Sequence, residues 1–411
     1  MKKTLIVLTV ILCLFLLQSA AWADADEKAA EYLNTYFGIS FEGEVTLEGY
    51  NNALKAIGAE PLSGESFTLA DAVVGAVRLA GMEELALTYT NEKAGTKASE
   101  KLAEKNISAD DVYVPYIACA LDLGLVSDEE DFNGAVTPET AAALLYRSAE
   151  LCGKARHYIG HLSDDLILSY ARVNFDSVFI FDDEILNETG INILISEAAT
   201  GYSLFYSGYE ARFLENYTIR YGHDTPTHLL QLIALLQREG FDGYLQIEPK
   251  VSVYEYLPEW GEPQARTATY SVVEMMEGRY FAFAVEYEIA VEFNTTAEKE
   301  AFHDLVDTYA KKYDDRVDEE GNQMTGLLHQ SFWQPLYYSR TEMENEEYTA
   351  LTETIVLNED GSFEIRSIGL PEQSSAVAIA AASIDPTLKT GEVTVYVNPA
   401  FYRYITDSDY Q

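Results

Sequence analysis

Tyr50 to Gly58 and Tyr116 to Gly124 are written on one template, an aromatic residue with a glycine eight positions on. Each leads into a second run headed by Thr with an Arg ten residues beyond it, Thr68 to Arg78 in the first copy and Thr137 to Arg147 in the second. Such a repeat restricts the fold strongly, because one helical hairpin cannot bury its apolar face alone and needs its neighbour. Thr46, Thr68 and Thr137 are good N-caps, Pro138 occupies the favoured first helical position, and Gly58, Gly81 and Gly153 suit helix ends. The spacing places Leu69, Val73, Ala76, Val77 and Ala80 on one face of the first copy's second helix, and Ala141, Leu144, Leu145 and Ala149 on its counterpart. Residues 27–37 add a short helix, and 90–105, rich in Lys, Glu and Ala, a connecting helix or loop.

Residues 1–23 read as a secretory signal peptide: Lys2 and Lys3, an apolar run from Leu5 to Leu17, and Ala21-Trp22-Ala23 as a small-x-small cleavage site before Asp24. The run is short for a bilayer span, which needs about 20 residues, and no second one of that length follows, so no membrane contact is expected after cleavage. Cys13 lies inside the apolar run behind Ile11 and Leu12, which argues against lipidation. Acids outnumber Lys and Arg 68 to 27, a formal charge of -41 spread along the chain. That balance excludes nucleic acid as a partner, since phosphate binding depends on Lys and Arg. Beyond the leader stand Cys119 and Cys152, and two arrangements stay open: a disulfide, which export permits, or two thiols packed as small hydrophobes.

After about residue 160 the composition shifts to strand-like runs, at 177–181, 191–195, 202–207, 212–221, 244–256, 267–276, 280–293, 332–339, 348–358, 363–368, 376–384 and 393–397. Two amphipathic helices interrupt them, 226–239 and 297–313, and 314–326 is polar enough for an exposed loop. The expected fold is multi-domain: an all-α helical-repeat bundle at 24–156, then at 157–411 an α+β domain with helices on one side of an antiparallel sheet, with two sub-halves dividing near 260.

The doubled unit resembles the S-layer homology family, whose modules attach exported bacterial proteins to cell-wall polysaccharide. The second copy carries the likeness in Asp111-Val112, Tyr116 to Ala120, Gly124-Leu125, Phe132, Val136-Thr137-Pro138-Glu139 and Leu145 to Ala149; the first in Tyr50, Ala53, Gly58, Phe67 to Asp71 and Arg78 to Ala80. Together they span residues 40–153. The resemblance implies a packed helical bundle and a glycan site among Thr68, Asp71, Arg78, Thr137, Glu139 and Arg147. The family's Thr-Arg-Ala-Glu signature is replaced by Thr68-Leu69-Ala70-Asp71 and Thr137-Pro138-Glu139-Thr140, so its Arg is absent from both copies.

The search for chemistry finds one compact group, His223, Asp224 and His228, where a strand runs into a helix. Two imidazoles and a carboxylate are a ligand set for Zn²⁺ with an open position, and the same residues serve equally as ordinary helix-start residues. His157 and His161, with Asp164 and Asp165, form a looser group interrupted by Gly160. No nucleophile elbow, phosphate loop, metalloprotease helix or Ca²⁺ loop occurs, and no cofactor is implied. The aromatic run Tyr202, Phe205, Tyr206, Tyr209, Phe213, Tyr217 and Tyr221, with Trp333, Tyr337 and Tyr338, suits either a core face or a sugar-stacking surface. Three readings follow: an exported cell-envelope protein held to wall polysaccharide by its repeats, with a carboxy-terminal binding domain; a secreted, metal-assisted hydrolase using His223, Asp224 and His228; or a surface protein that assembles with other surface proteins and whose repeats no longer bind glycan.

Overall fold

The computed structural model describes residues 28–90, 92–177, 181–257, 261–309, 336–344 and 347–406. The expected leader at 1–23, the expected loop at 314–326 and Trp333 lie outside them. The chain forms two compact units that meet in sequence between Arg156 and His157.

The first unit is helical among its described residues: α1 (28–37), α2 (Leu47–Ala56), α3 (Leu69–Leu79), α4 (Glu83–Thr88), α5 (Glu92–Glu104), α6 (Val114–Asp122) and α7 (Pro138–Leu151). The caps follow from local chemistry. Thr46 Oγ1 accepts from Gly49 N at 3.1 Å and Thr137 Oγ1 from Thr140 N at 3.2 Å. The templated glycines Gly58 and Gly124 follow α2 and α6 at φ of +78° and +66°, the left-handed backbone that ends a helix at least cost without a Cβ. Ala72, Val73, Ala76 and Val77 of α3 and Ala141, Leu144, Leu145 and Ala149 of α7 are buried. Cys119 is buried and Cys152 half-buried; both are free thiols, so the bridge between them is not formed.

The second unit contains β1 (Gly160–His161), α8 (Ile167–Ser177), α9 (Glu184–Ile195), β2 (Gly201–Tyr206), β3 (Thr218–His223), α10 (Pro226–Arg238), β4 (Gly243–Tyr256), β5 (Tyr270–Met276), β6 (Arg279–Phe293), α11 (Thr296–Tyr309), β7 (Tyr337–Ser339), β8 (Thr349–Leu357), β9 (Phe363–Gly369), α12 (Ser374–Ile384), β10 (Lys389–Val397) and α13 (Pro399–Ile405). Its strands do not form the expected open sheet with helices on one side. The order β4-β2-β9-β8-β10-β7-β3-β6 returns to β4, closing an eight-stranded antiparallel barrel with β1 and β5 attached outside the ring. This overturns the expected fold class of a helical-repeat bundle followed by a sheet domain.

Closure has a physical origin in two long strands. β4 pairs with β6 from Gly243↔Phe293 to Tyr256↔Tyr280, while its other edge takes β1 and then β2, and the other edge of β6 takes β3 and β5. Every ring strand therefore has both edges bonded, which removes the exposed edges of an open sheet. Since β4 and β6 stand on either side of residue 260, the unit has no division there.

Because side chains alternate along a strand, each ring strand has one face outward and one inward. The outward face is the apolar one. Ile219, Tyr221, Leu245, Ile247, Ile289, Val291 and Phe293 pack under α8, α10 and α11, and Tyr202, Leu204, Val253, Phe281, Val356 and Ile365 pack under α9 and α12. The inward face carries the charges.

Two runs expected as strands are helices. Residues 191–195 end α9, whose Asp183 cap accepts from Leu186 N at 2.9 Å, and 376–384 lie in α12. Short apolar runs show no period long enough to separate the two states, and the Ala-rich 376–384 has high intrinsic helix propensity.

Candidate functional site

The inward faces of β4 and β6 bring acids directly opposite one another. Glu248 pairs with Glu288 and Lys250 with Glu286 in the register, and Ser203 of β2 lies opposite Ser252 on one side and Arg366 on the other. Like charges across a pair destabilise it, so this layer depends on cations from other strands. Arg220 from β3 and Arg366 from β9, both nearly inaccessible, reach Glu288 Oε1 at 3.9 and 3.8 Å, and Arg366 also reaches Glu248 Oε2 at 3.5 Å. Arg340, just past β7, meets Glu353 Oε2 at 2.7 Å, and Arg220 holds Glu215 with two nitrogens at 2.5 and 2.9 Å.

Desolvation of such groups is costly unless they are paired. Burial alone would raise the Glu215 and Glu353 carboxyls, but Arg220 and Arg340 lower the first, and Arg340 and Arg366 the second, below the ordinary carboxylate range. Glu248 goes the other way: burial, reinforced by Glu288, raises it against the pull of Arg366 and Arg220. The Tyr338 phenol, raised by burial and by Glu288, stays protonated and donates to Glu288 Oε1 at 3.1 Å.

One end of the barrel is closed by residues 207–217. Ala211 N donates to Glu248 Oε1 at 2.9 Å and Leu214 N to Glu292 Oε2 at 3.0 Å, and Ala211 and Phe213 pack on Ala290. Toward the other end, α13 lies against Tyr338, Leu351, Val395 and Val397 through Phe401, Tyr402 and Ile405. Between them remains a cavity of about 160 Å³. A water occupies about 30 Å³ in the liquid, so the space is that of several waters or one small organic molecule.

Lys250 is one of the residues that line it. The ammonium lies 3.7 Å from Glu286 and 3.8 Å from Glu288 and makes no hydrogen bond among the described residues. Gly222 leaves the room for it, since a Cβ there would meet Lys250 Nζ at 3.3 Å. Ser252 Oγ donates to Glu286 Oε2 at 2.6 Å and is 2.9 Å from Ser203 Oγ. Arg366 lies over the Phe205 ring, 4.0 Å from its centroid. The arrangement can hold a small polar molecule from several sides with both donors and acceptors.

The residues singled out from sequence fall elsewhere or play other parts. In the first unit, Asp71 Oδ2 accepts from Thr68 N and Thr68 Oγ1, both at 2.9 Å, while its Oδ1 accepts from Tyr113 Oη at 2.6 Å. The amides of Leu69 and Ala70 at the start of α3 are taken by the carbonyls of Gly134 and Phe132, which leaves that helix end little to offer an anion. Arg78 pairs with Glu83 at 2.8 Å, Arg147 donates to the Leu125 carbonyl at 3.2 Å, and Glu139 is exposed in the first turn of α7.

His223, Asp224 and His228 do come together, and His223 lines the cavity. Their geometry is that of a hydrogen-bonded turn. His223 Nδ1 accepts from Thr225 N at 2.9 Å, and His223 Nε2 faces His228 Nδ1 at 3.0 Å. Ring nitrogens that point at each other do not converge on a common ion, and no group of three or more His, Cys, Asp or Glu suited to a metal occurs among the described residues. His157 Nδ1 is tied to the Glu210 carbonyl at 2.9 Å, whereas the His161 backbone amide donates to Asp164 Oδ2, also at 2.9 Å. Asp165 is exposed.

Lys250, Ser252, Glu286, Glu288 and Arg366 were not legible as a site. Their signal is an alternation of polar residues, Gln246, Glu248, Lys250 and Ser252 on β4 and Glu286 and Glu288 on β6, which reads equally as the solvated face of an ordinary antiparallel sheet. Comparison with protein-family models, curated proteins and solved structures produced no match to this chain. The likeness to S-layer homology units therefore rests on the residue pattern alone.

Proposed function

We propose that this chain is an exported cell-envelope protein whose barrel binds a small polar molecule, with wall polysaccharide and other surface proteins as its surroundings. The observation that carries the binding role is Lys250, a cation that lines the barrel cavity and makes no hydrogen bond among the described residues. A half-buried charge held this way loses part of its hydration, and a ligand or water that completes its hydrogen bonds offsets that loss. Ser203, Ser252, Glu286 and Tyr338 around it supply further polar contacts of the kind that orient a bound molecule in a pocket. The envelope location is supported by the leader residues and by the doubled helical unit.

Two measurements test this reading. Thermal unfolding of the chain from Asp24 onward, repeated with sugars, amino acids, amines and organic acids at millimolar concentration, is expected to find at least one compound that raises Tm. Binding to the native state alone stabilises by about 2.7 kcal/mol when the ligand stands at about 100 times Kd. A flat response across all four classes removes the binding role. Cosedimentation of the same protein with purified wall sacculi tests the location, which fails if the protein stays in the supernatant at both low and high salt.

A further inference from the structure

We infer that the barrel cavity takes an uncharged, polyhydroxylated ring, a saccharide unit; this rests on the binding role proposed above and names its ligand class. The argument begins with charge. An anion entering the cavity would meet Lys250 but also Glu286, Glu288 and Glu353, and a cation would meet those carboxylates but be repelled by Lys250, which lies 3.7 and 3.8 Å from two of them. Arg366 is already committed, with its Nε 2.5 Å from Glu364 Oε1 and its plane on Phe205. A neutral ligand escapes both repulsions, which in a barrel interior are far less screened than in water.

Hydroxyl groups fit what remains. A hydroxyl both donates and accepts, and the cavity presents donors and acceptors side by side. Lys250 Nζ has three donors without a hydrogen-bond partner among the described residues, and Glu286 accepts from Ser252 through Oε2 only. Lys250 and Ser252 stand two residues apart on β4, as do Glu286 and Glu288 on β6, so their side chains leave the backbone about 7 Å apart along the strand. That spacing suits hydroxyls on opposite sides of a single sugar ring rather than adjacent ones. On the remaining sides the wall is aromatic, with Tyr254 from β4 and Phe401 and Tyr404 from α13. Such faces suit the C–H surface of a ring.

The test is calorimetric titration of the chain from Asp24 onward with glucose and N-acetylglucosamine, beside glycine, putrescine and malonate as zwitterionic, cationic and anionic probes. The expected result is binding of at least one sugar and of none of the charged probes. Lys250→Met should weaken it about tenfold or more, and Ser252→Ala severalfold, since hydrogen bonds from charged groups are the stronger ones. Should Lys250→Met fail to fold, Ser252→Ala and Tyr404→Leu carry the test, with circular dichroism and Tm as the check on folding. A charged probe that binds while both sugars fail overturns the saccharide and leaves the small-molecule role standing. Silence from all five probes, while another compound raises Tm, overturns the saccharide alone; silence there as well removes both.

Discussion

At the scale of single residues, His228, which faces the cavity-lining His223, is a group whose titration can be followed. Burial first and the neighbouring His223 imidazole second hold His228 below the usual histidine range, with Asp224 acting the other way. The unfolded chain therefore takes up a proton at this position at a higher pH than the folded one does. The stability contributed is present above the unfolded value of about 6.5 and is lost as the pH falls from there through the folded pKa. Urea unfolding at pH 7.5 and 5.0 is expected to show a smaller loss on acidification for His228→Gln than for the parent protein; equal losses would show that the pair contributes nothing. This pair was visible in the sequence as a His-Asp-x-x-x-His spacing. Which way the ring nitrogens point was not, because it depends on how the end of β3 turns into α10.

At the scale of elements, the helices of the first unit follow from local rules, and the strands of the second only in part. Thr46, Thr68 and Thr137 act at helix ends as their chemistry requires, each such cap contributing about 1 kcal/mol. The residues from which a glycan site was expected are used by these same ends: Asp71 completes the box with Thr68, and the carbonyls of Phe132 and Gly134 take the next amides. Among strands, β4 shows a constraint with no outward sign in sequence. Gly243 begins it at φ +152°, and a Cβ there would be driven into the Glu292 carbonyl oxygen across the pairing with β6. Gly243→Ala is expected to cost about 3 kcal/mol or more, from backbone strain together with overpacking. Urea or thermal unfolding measures it, and a change below about 1 kcal/mol would mean that the β4–β6 pairing absorbs the methyl group. Where strand and helix were confused, at 191–195 and 376–384, the segments are short apolar runs whose state is set by the sheet they cover, since α9 and α12 pack together over Tyr202, Leu204, Val356 and Ile365.

At the scale of the whole molecule, two kinds of electrostatics oppose each other. The net charge of -41 is self-repulsion spread over the chain, and salt screens it with a Debye length of about 10 Å at 0.1 M. The ion pairs of the barrel interior are buried and much less exposed to that screening. Raising NaCl from about 10 to 150 mM is therefore expected to raise Tm, as surface repulsion weakens while the interior network stays intact; a fall in Tm would mean that salt-sensitive pairs hold the fold. The barrel itself was beyond reach of local pattern. Its closure depends on pairings such as Ser203 with Arg366 and Arg220 with Tyr338, made between residues far apart in sequence, and period-two alternation tells which residues share a face without telling which face is inside. The sequence by itself determined the capped helices, the acidic balance and the existence of most strands, because each depends on neighbours within a turn or two of chain. Only the tertiary structure decided that the strands form a ring, that the apolar faces look outward to the helices, and that Lys250 meets Glu286 and Glu288 inside, because long-range pairing selects one register among many that the same local preferences allow.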